Sequence, residues 1–275
     1  MAVEEPILPL REVHILSLRS KCGVQMNHRE RLEACREVVD RLLGKHADDI
    51  KAIAVLGSVA RREDEEHSDI DMKVIVSGAS SLKSHVFILN GCLFSIDART
   101  EESWKRELTE PNSHLSLSVG SLMHILPGYD PNGVFRRLST MANALPAECW
   151  RNAVRDSMEA IIEDLGRVKN AYERGDFRTF RVNAVPVAMS MALVQANLGR
   201  VPIVTEKDLY CIFEDVHGKD SEPARAFRIA SRIDDGGDDD VMDALNFLGD
   251  FLIRESLKHS AMVQMYRSAS SYTPP

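Results

Sequence analysis

The cysteines make no pattern. Cys22, Cys35, Cys92, Cys149 and Cys211 are widely spaced, odd in number and include no Cys-x-x-Cys pair. That excludes a disulfide framework and predicts reduced, packed thiols in a cytoplasm. The nine histidines form no His-x-His or His-Glu-x-x-His array, which removes the usual zinc sites. Neither Gly-x-x-x-x-Gly-Lys-Ser/Thr nor Gly-x-Gly-x-x-Gly occurs, so a P-loop and a dinucleotide fold are not expected. Positive charge is also short: a formal net charge of -8 and a pI of ≈ 5.6 oppose a protein that grips long nucleic acid, because phosphate neutralisation calls for a basic face. The N-terminus has Glu4 and Glu5 and is interrupted by Pro6 and Pro9, so no secretory signal is expected. The longest uncharged run, Val182 to Gly199, contains Asn183, Pro186, Ser190, Gln195 and Asn197. It predicts a buried core helix and no membrane span.

What is present suits a globular protein: 275 residues, 44% hydrophobic and 28% charged, enough for two domains of ordinary size. Residues 1–26 show no clear period and are expected to form an extension. Asn27 and Glu30 have capping-box spacing. Leu32, Cys35, Val39 and Leu42 then recur at helical spacing, predicting a helix over 28–45. Short apolar segments at 51–56, 70–76, 86–89 and 92–98 read as strands of one sheet. The turn-rich run from Pro127 to Gly133 is expected to close the sheet region. Helical periods follow at 147–173, 178–198, 205–217, 222–232 and 241–266. The expectation is an α+β fold: a mixed-sheet domain with flanking helices over 27–145, a helical bundle over 146–267 and a tail over 268–275. Asp234 to Asp240 lacks the spacing of a calcium loop and reads as a solvated linker.

The chemistry is concentrated in Val55-Leu56-Gly57-Ser58-Val59-Ala60-Arg61 and the later Asp69-Ile70-Asp71-Met72-Lys73. A strand ending in Gly57-Ser58 lets the backbone approach a phosphate closely, and a helix beginning there offers free amides. Residues two apart in a strand share a face, so Asp69 and Asp71 point together. Two such carboxylates repel unless a cation lies between them, and Mg2+ favours carboxylates with substrate phosphates. Asp97, an acid among apolar neighbours at a strand end, is the candidate third carboxylate, able to support the first metal or hold a second. Solvated edge acids are the plainer reading of a lone Asp-x-Asp.

Gly57-Ser58, Asp69-Ile70-Asp71 and Asp97 together resemble the DNA polymerase beta-like nucleotidyltransferase superfamily. Lys51-Ala52-Ile53, Ile125-Leu126-Pro127-Gly128-Tyr129-Asp130 and Gly166-Arg167-Val168-Lys169-Asn170 narrow the resemblance to the kanamycin nucleotidyltransferase group, the aminoglycoside 4'-O-adenylyltransferases. The resemblance runs over residues 26–260 and is patchy after 175. It implies a magnesium-dependent enzyme that moves a nucleoside monophosphate from ATP or another NTP onto a hydroxyl of a small acceptor, with pyrophosphate leaving. It also implies a homodimer whose active sites are completed across the interface.

Residue by residue, the resemblance makes Asp69, Asp71 and Asp97 the metal ligands, with Gly57, Ser58 and Arg61 near the phosphates. Arg167 replaces a family lysine that contacts the phosphates; Arg keeps the charge and can grip bidentately. Glu163 matches the general base and Glu159 a second pocket glutamate, four residues apart on one helix face. Both could equally belong to a solvated stripe, and Arg61 could be a surface arginine. Two departures stand out. Residues 80–96 contain no acid, and Val86 occupies the place of a family glutamate, which makes the acceptor pocket less anionic. The stretch from His85 to Asp97 differs in length from the family, leaving Asp97 the weakest of the three matches. Transfer to an RNA end or a protein side chain, and a non-catalytic nucleotide-binding scaffold, remain the alternatives.

Overall fold

The computed structural model describes residues 26–258; the expected extension before residue 26, Cys22 and the expected tail lie outside them. The first helix, α1 (His28–His46), begins where its cap requires. Asn27 Oδ1 accepts from Glu30 N at 3.1 Å and Glu30 Oε2 accepts from Asn27 N at 2.7 Å, satisfying two amides that would otherwise be orphaned. Then follow β1 (Ile50–Val55), the single-turn α2 (Gly57–Arg61), β2 (Ile70–Val76), β3 (His85–Leu89) and β4 (Cys92–Thr100). These strands were legible because each is a short β-branched or apolar run bounded by Gly, Ser, Asp or Asn.

The sheet order is β3-β4-β2-β1-β5, where β5 is Leu126–Tyr129, with β2 and β4 parallel and the other neighbours antiparallel. Its two faces differ. Ile53, Val55, Ile70, Met72, Val74, Phe94 and Ile96 pack against Ala34, Cys35, Val38 and Val39 of α1. The opposite face receives three helices that hydrophobic periodicity did not reveal, α3 (Glu101–Thr109), α4 (Leu115–Gly120) and α5 (Val134–Asn143). The small Ala52 and Ala54 admit Trp104 and Phe135 there. The segment expected to be a closing turn instead includes β5 (Leu126–Tyr129), paired with β1. Proline within a strand is tolerated at a sheet edge, and Pro127 occupies that edge.

The second half is helical: α6 (Ala147–Glu173), α7 (Phe177–Gly199), a 3-10 turn (Glu206–Tyr210), α8 (Ile212–His217), α9 (Glu222–Ala230) and α10 (Asp238–Lys258). The one helix expected over 205–217 is thus divided, with Cys211 between the two pieces. The α10 helix starts earlier than expected. Asp238, Asp239 and Asp240 form its acidic first turn, where the helix dipole favours negative charge, so this part of the expected linker is ordered structure. Asp238 also pairs with Arg181 and Arg232. α7 is long and apolar enough to cross a membrane, but Phe180, Ala184, Val187, Ala188, Met191, Ala192 and Val194 are buried in the core of this half. It is the expected core helix.

The halves are bolted together beside the sheet. Ile203 N donates to Ser116 O at 3.0 Å, and Asn197 accepts from Ser116 N at 3.1 Å and donates to Ser113 O at 2.8 Å. A Cβ on Gly120 would lie 2.0 Å from Ile203 O, so only glycine permits this approach. The contact brings Val204 to the rim of a cleft on the α3–α5 face of the sheet.

Candidate active site

The cleft, of ≈ 280 Å³, is built by four parts of the first half of the chain together with Val204. Gly57 and Arg61 come from the β1–α2 junction, Asp71 and Lys73 from β2, Ser95 and Asp97 from β4, and Ser121 and His124 follow α4. Parallel register sets Asp71 beside Ser95 and Lys73 beside Asp97. Period-two alternation therefore delivers acids and a lysine from adjoining strands to one face.

Gly57 has φ +65°, and a Cβ built on it would stand 2.9 Å from Asp71 Oδ2. Its neighbour Leu56 donates its amide to the carbonyl of Asp71 at 2.9 Å. The glycine thus turns the chain in a left-handed conformation and clears room for a carboxylate. Ser58 is half-buried next to it in α2. That helix is only five residues long, so the expected dipole contribution is small.

Asp71 is partly buried, and its pKa is raised by that burial first and by the charge of Asp69 second, against the opposing pull of Lys73 and Arg61. Asp69 stands exposed one residue before β2. The charge of Asp69 is thus felt at Asp71. Oxygen donors that repel are a fit for one hard divalent cation such as Mg2+, which would relieve the desolvated charge.

Asp97 reaches the same cleft but is already engaged. Arg99 Nε donates to both its oxygens, at 2.8 and 3.0 Å, and Arg99 continues to Glu107. Ser84 Oγ donates to Asp97 Oδ1 at 3.2 Å. Among the described residues no three acidic, His or Cys side chains gather into a metal-binding group. The expected convergence of three carboxylates is thus not seen: Asp71 and Asp97 line the cleft, Asp97 is held by Arg99, and Asp69 is exposed and not among the lining residues.

Lys73 is the residue that sequence reasoning missed. It is 9% exposed, its Nζ donates to Ser121 Oγ at 2.7 Å and lies 3.6 Å from the Trp104 ring centroid. Arg99 sits on the same ring at 3.9 Å. Burial pushes the Lys73 pKa down to about 7, with Glu107, Asp97 and Asp71 opposing and Arg99 assisting. The signal was present, since Lys73 continues the alternation of Asp69 and Asp71. Ser121 and His124 had none.

Glu159, Glu163 and Arg167 are exposed on α6 and do not line this cleft. Arg167 pairs with Glu163 and, at 2.8 Å, with Asp164. Within one chain they form a solvated ion-pair cluster.

No family model matches the chain. An aminoglycoside nucleotidyltransferase (4') of Staphylococcus aureus is 28% identical over 170 residues, 62% of this chain and 67% of the relative. One from Bacillus sp aligns with the same identity and coverage. The crystal structure of a nucleotidyltransferase-like protein from Exiguobacterium sibiricum superposes with TM-score 0.52, at 13% identity, over 82% of this chain and 78% of that one. At that identity the likeness is one of fold. The chain is thus similar in sequence to the aminoglycoside nucleotidyltransferases (4'), the group to which Lys51-Ala52-Ile53, Ile125 to Asp130 and Gly166 to Asn170 had narrowed the resemblance, and similar in fold to a nucleotidyltransferase-like protein.

Proposed function

We propose that this protein is a magnesium-dependent nucleotidyltransferase that moves a nucleoside monophosphate, AMP from ATP, onto a hydroxyl of a small-molecule acceptor. The observation that carries the reading is the Gly57–Asp71 contact: a left-handed glycine opens a strand end onto a half-buried carboxylate that a second acid repels. Asp69 and Asp71 would hold the cation. A bound Mg2+ supplies charge neutralisation on the triphosphate and pyrophosphate.

The chain's own residues do the rest. Gly57 and Ser58 admit the phosphates to the backbone, and Arg61, on the cleft wall, offsets their charge. Asp97, held by Arg99, supports the acidic wall and becomes a third ligand only by exchanging that partner. Glu163 takes the acceptor proton and Glu159 orients the acceptor, in a homodimer where α6 of one protomer serves the cleft of its partner. Arg167 steadies the phosphates in the same way. That arrangement accounts for functional side chains on an exposed helix face. The relatives named for aminoglycosides make these the first acceptors to test, in a protein that works in the cytoplasm.

The test is incubation with labelled ATP, Mg2+ and a panel of aminoglycosides. Labelled acceptor and released pyrophosphate are expected, and both should vanish in a folded Asp71→Asn variant. Equal thermal stabilisation by ATP with and without Mg2+, in wild type and in Asp71→Asn, would end the metal assignment.

A further inference from the structure

Asp69 sits at the end of a connection that has no regular structure of its own, residues 62–69 between α2 and β2. A metal ligand so placed needs something to hold it, and the structure provides a buried clamp. Asp64, in the middle of the connection, and Arg31, on α1, each have side chains 2% exposed. Arg31 Nη1 donates to Asp64 Oδ2 at 3.3 Å, and its Nη2 donates to Glu66 O at 2.8 Å. His28 Nδ1 meets the other oxygen, Asp64 Oδ1, at 2.6 Å. Closer to the ligand, Ser68 Oγ accepts from Glu65 N at 2.9 Å. Cys92 Sγ, at the start of β4, approaches Ser68 O at 3.7 Å.

The geometry matters because α1 is itself fixed. Ala34, Cys35, Val38 and Val39 pack it on the sheet that carries Asp71. Arg31 therefore refers the irregular connection to the same rigid frame as the second acid. Removing one partner from a buried ion pair leaves an uncompensated charge, so either residue alone would loosen the connection. Groups that hold metal ligands in place are worth about 10–100-fold in metal affinity.

Resting on the nucleotidyltransferase reading, we propose that Arg31, Asp64 and His28 are positioning residues that set Asp69 against Asp71, so that the α1 clamp governs the protein's affinity for Mg2+. The clamp touches neither substrate nor metal. Its effect travels through the backbone of residues 64–69.

The experiment uses the full chain and two readouts. The first is the Mg2+ concentration giving half-maximal thermal stabilisation by ATP. The second is hydrogen exchange of the amides of residues 65–69 in metal-free protein. In Asp64→Asn the Mg2+ requirement should rise about 10-fold, with turnover recovering at saturating Mg2+, and exchange should quicken in those amides but not in β2. His28→Ala, which removes one contact from a partly exposed side chain, should shift both readouts in the same direction by less. Should Asp64→Asn fail to fold, the Arg31→Met/Asp64→Leu double variant removes both charges together and should show the same rise. A folded variant with the wild-type Mg2+ requirement overturns the inference while Asp69→Asn still abolishes Mg2+ dependence. An unchanged requirement in Asp69→Asn overturns the metal assignment itself, and the inference with it.

Discussion

A Cβ on Gly57 would stand 2.9 Å from Asp71 Oδ2, so the absence of a side chain at one residue is what leaves space for the carboxylate at the other. Gly57→Ala should therefore do two kinds of damage. The left-handed φ of +65° is strained for alanine by about 1–3 kcal/mol. The methyl also displaces Asp71, the carboxylate assigned to the cation in the proposed function. A lowered melting temperature is expected together with a loss of turnover far larger than the fraction unfolded explains. Activity per folded molecule, measured well below the melting temperature, separates the two.

Asp97 and Arg99 predict a different outcome from Asp71. Because Arg99 holds both oxygens of Asp97 at 2.8 and 3.0 Å, Asp97→Asn weakens a pair that is about one-third exposed on each side. Screening limits the loss to about 1 kcal/mol. Its Mg2+ requirement should move less than that of Asp71→Asn. Titrating ATP-dependent stabilisation with Mg2+ for both variants checks the order, and the reverse order would make Asp97 the stronger ligand.

Glu163 and Arg167 are each 68% exposed, so Glu163→Gln should change stability by less than about 0.5 kcal/mol. On the proposed role of Glu163 as general base, the same change should lower turnover by about 100-fold or more. Mixing equal amounts of Glu163→Gln and Asp71→Asn proteins, both inactive, should restore about one quarter of wild-type activity if sites are shared between protomers, by random pairing in a two-fold dimer. No recovery after subunit exchange would exclude the shared site.

His217 gives a pH dependence unrelated to the cleft. Its ring packs edge-on to Phe251 at 5.1 Å, its Nε2 is buried without a partner, and burial lowers its pKa below the usual 6.5, with Glu255 opposing. The unfolded chain then binds the proton more readily than the folded one. This contribution to stability is complete above about pH 6.5 and is lost as pH falls through the depressed value. His217→Leu should flatten the fall in melting temperature between about pH 7.5 and 5.5.

The sequence alone determined whatever depends on local pattern. Asn27 and Glu30 announced α1 because a capping box acts within one turn. Alternation within β2 put Asp71 and Lys73 on one face, because strand geometry is periodic at two. The long helical periods gave α6 and α7 nearly to the residue. Tertiary structure decided what depends on partners distant in the chain. It turned the Pro127 segment into an edge strand by giving it β1 to pair with, and it engaged Asp97 with Arg99. It also set Lys73 between Ser121 and Trp104 and buried Asp64 against Arg31. Each of these is a meeting of side chains whose separation along the chain carries no periodic signal. Only packing, which lets a charged group lose water where a partner replaces it, could bring them together.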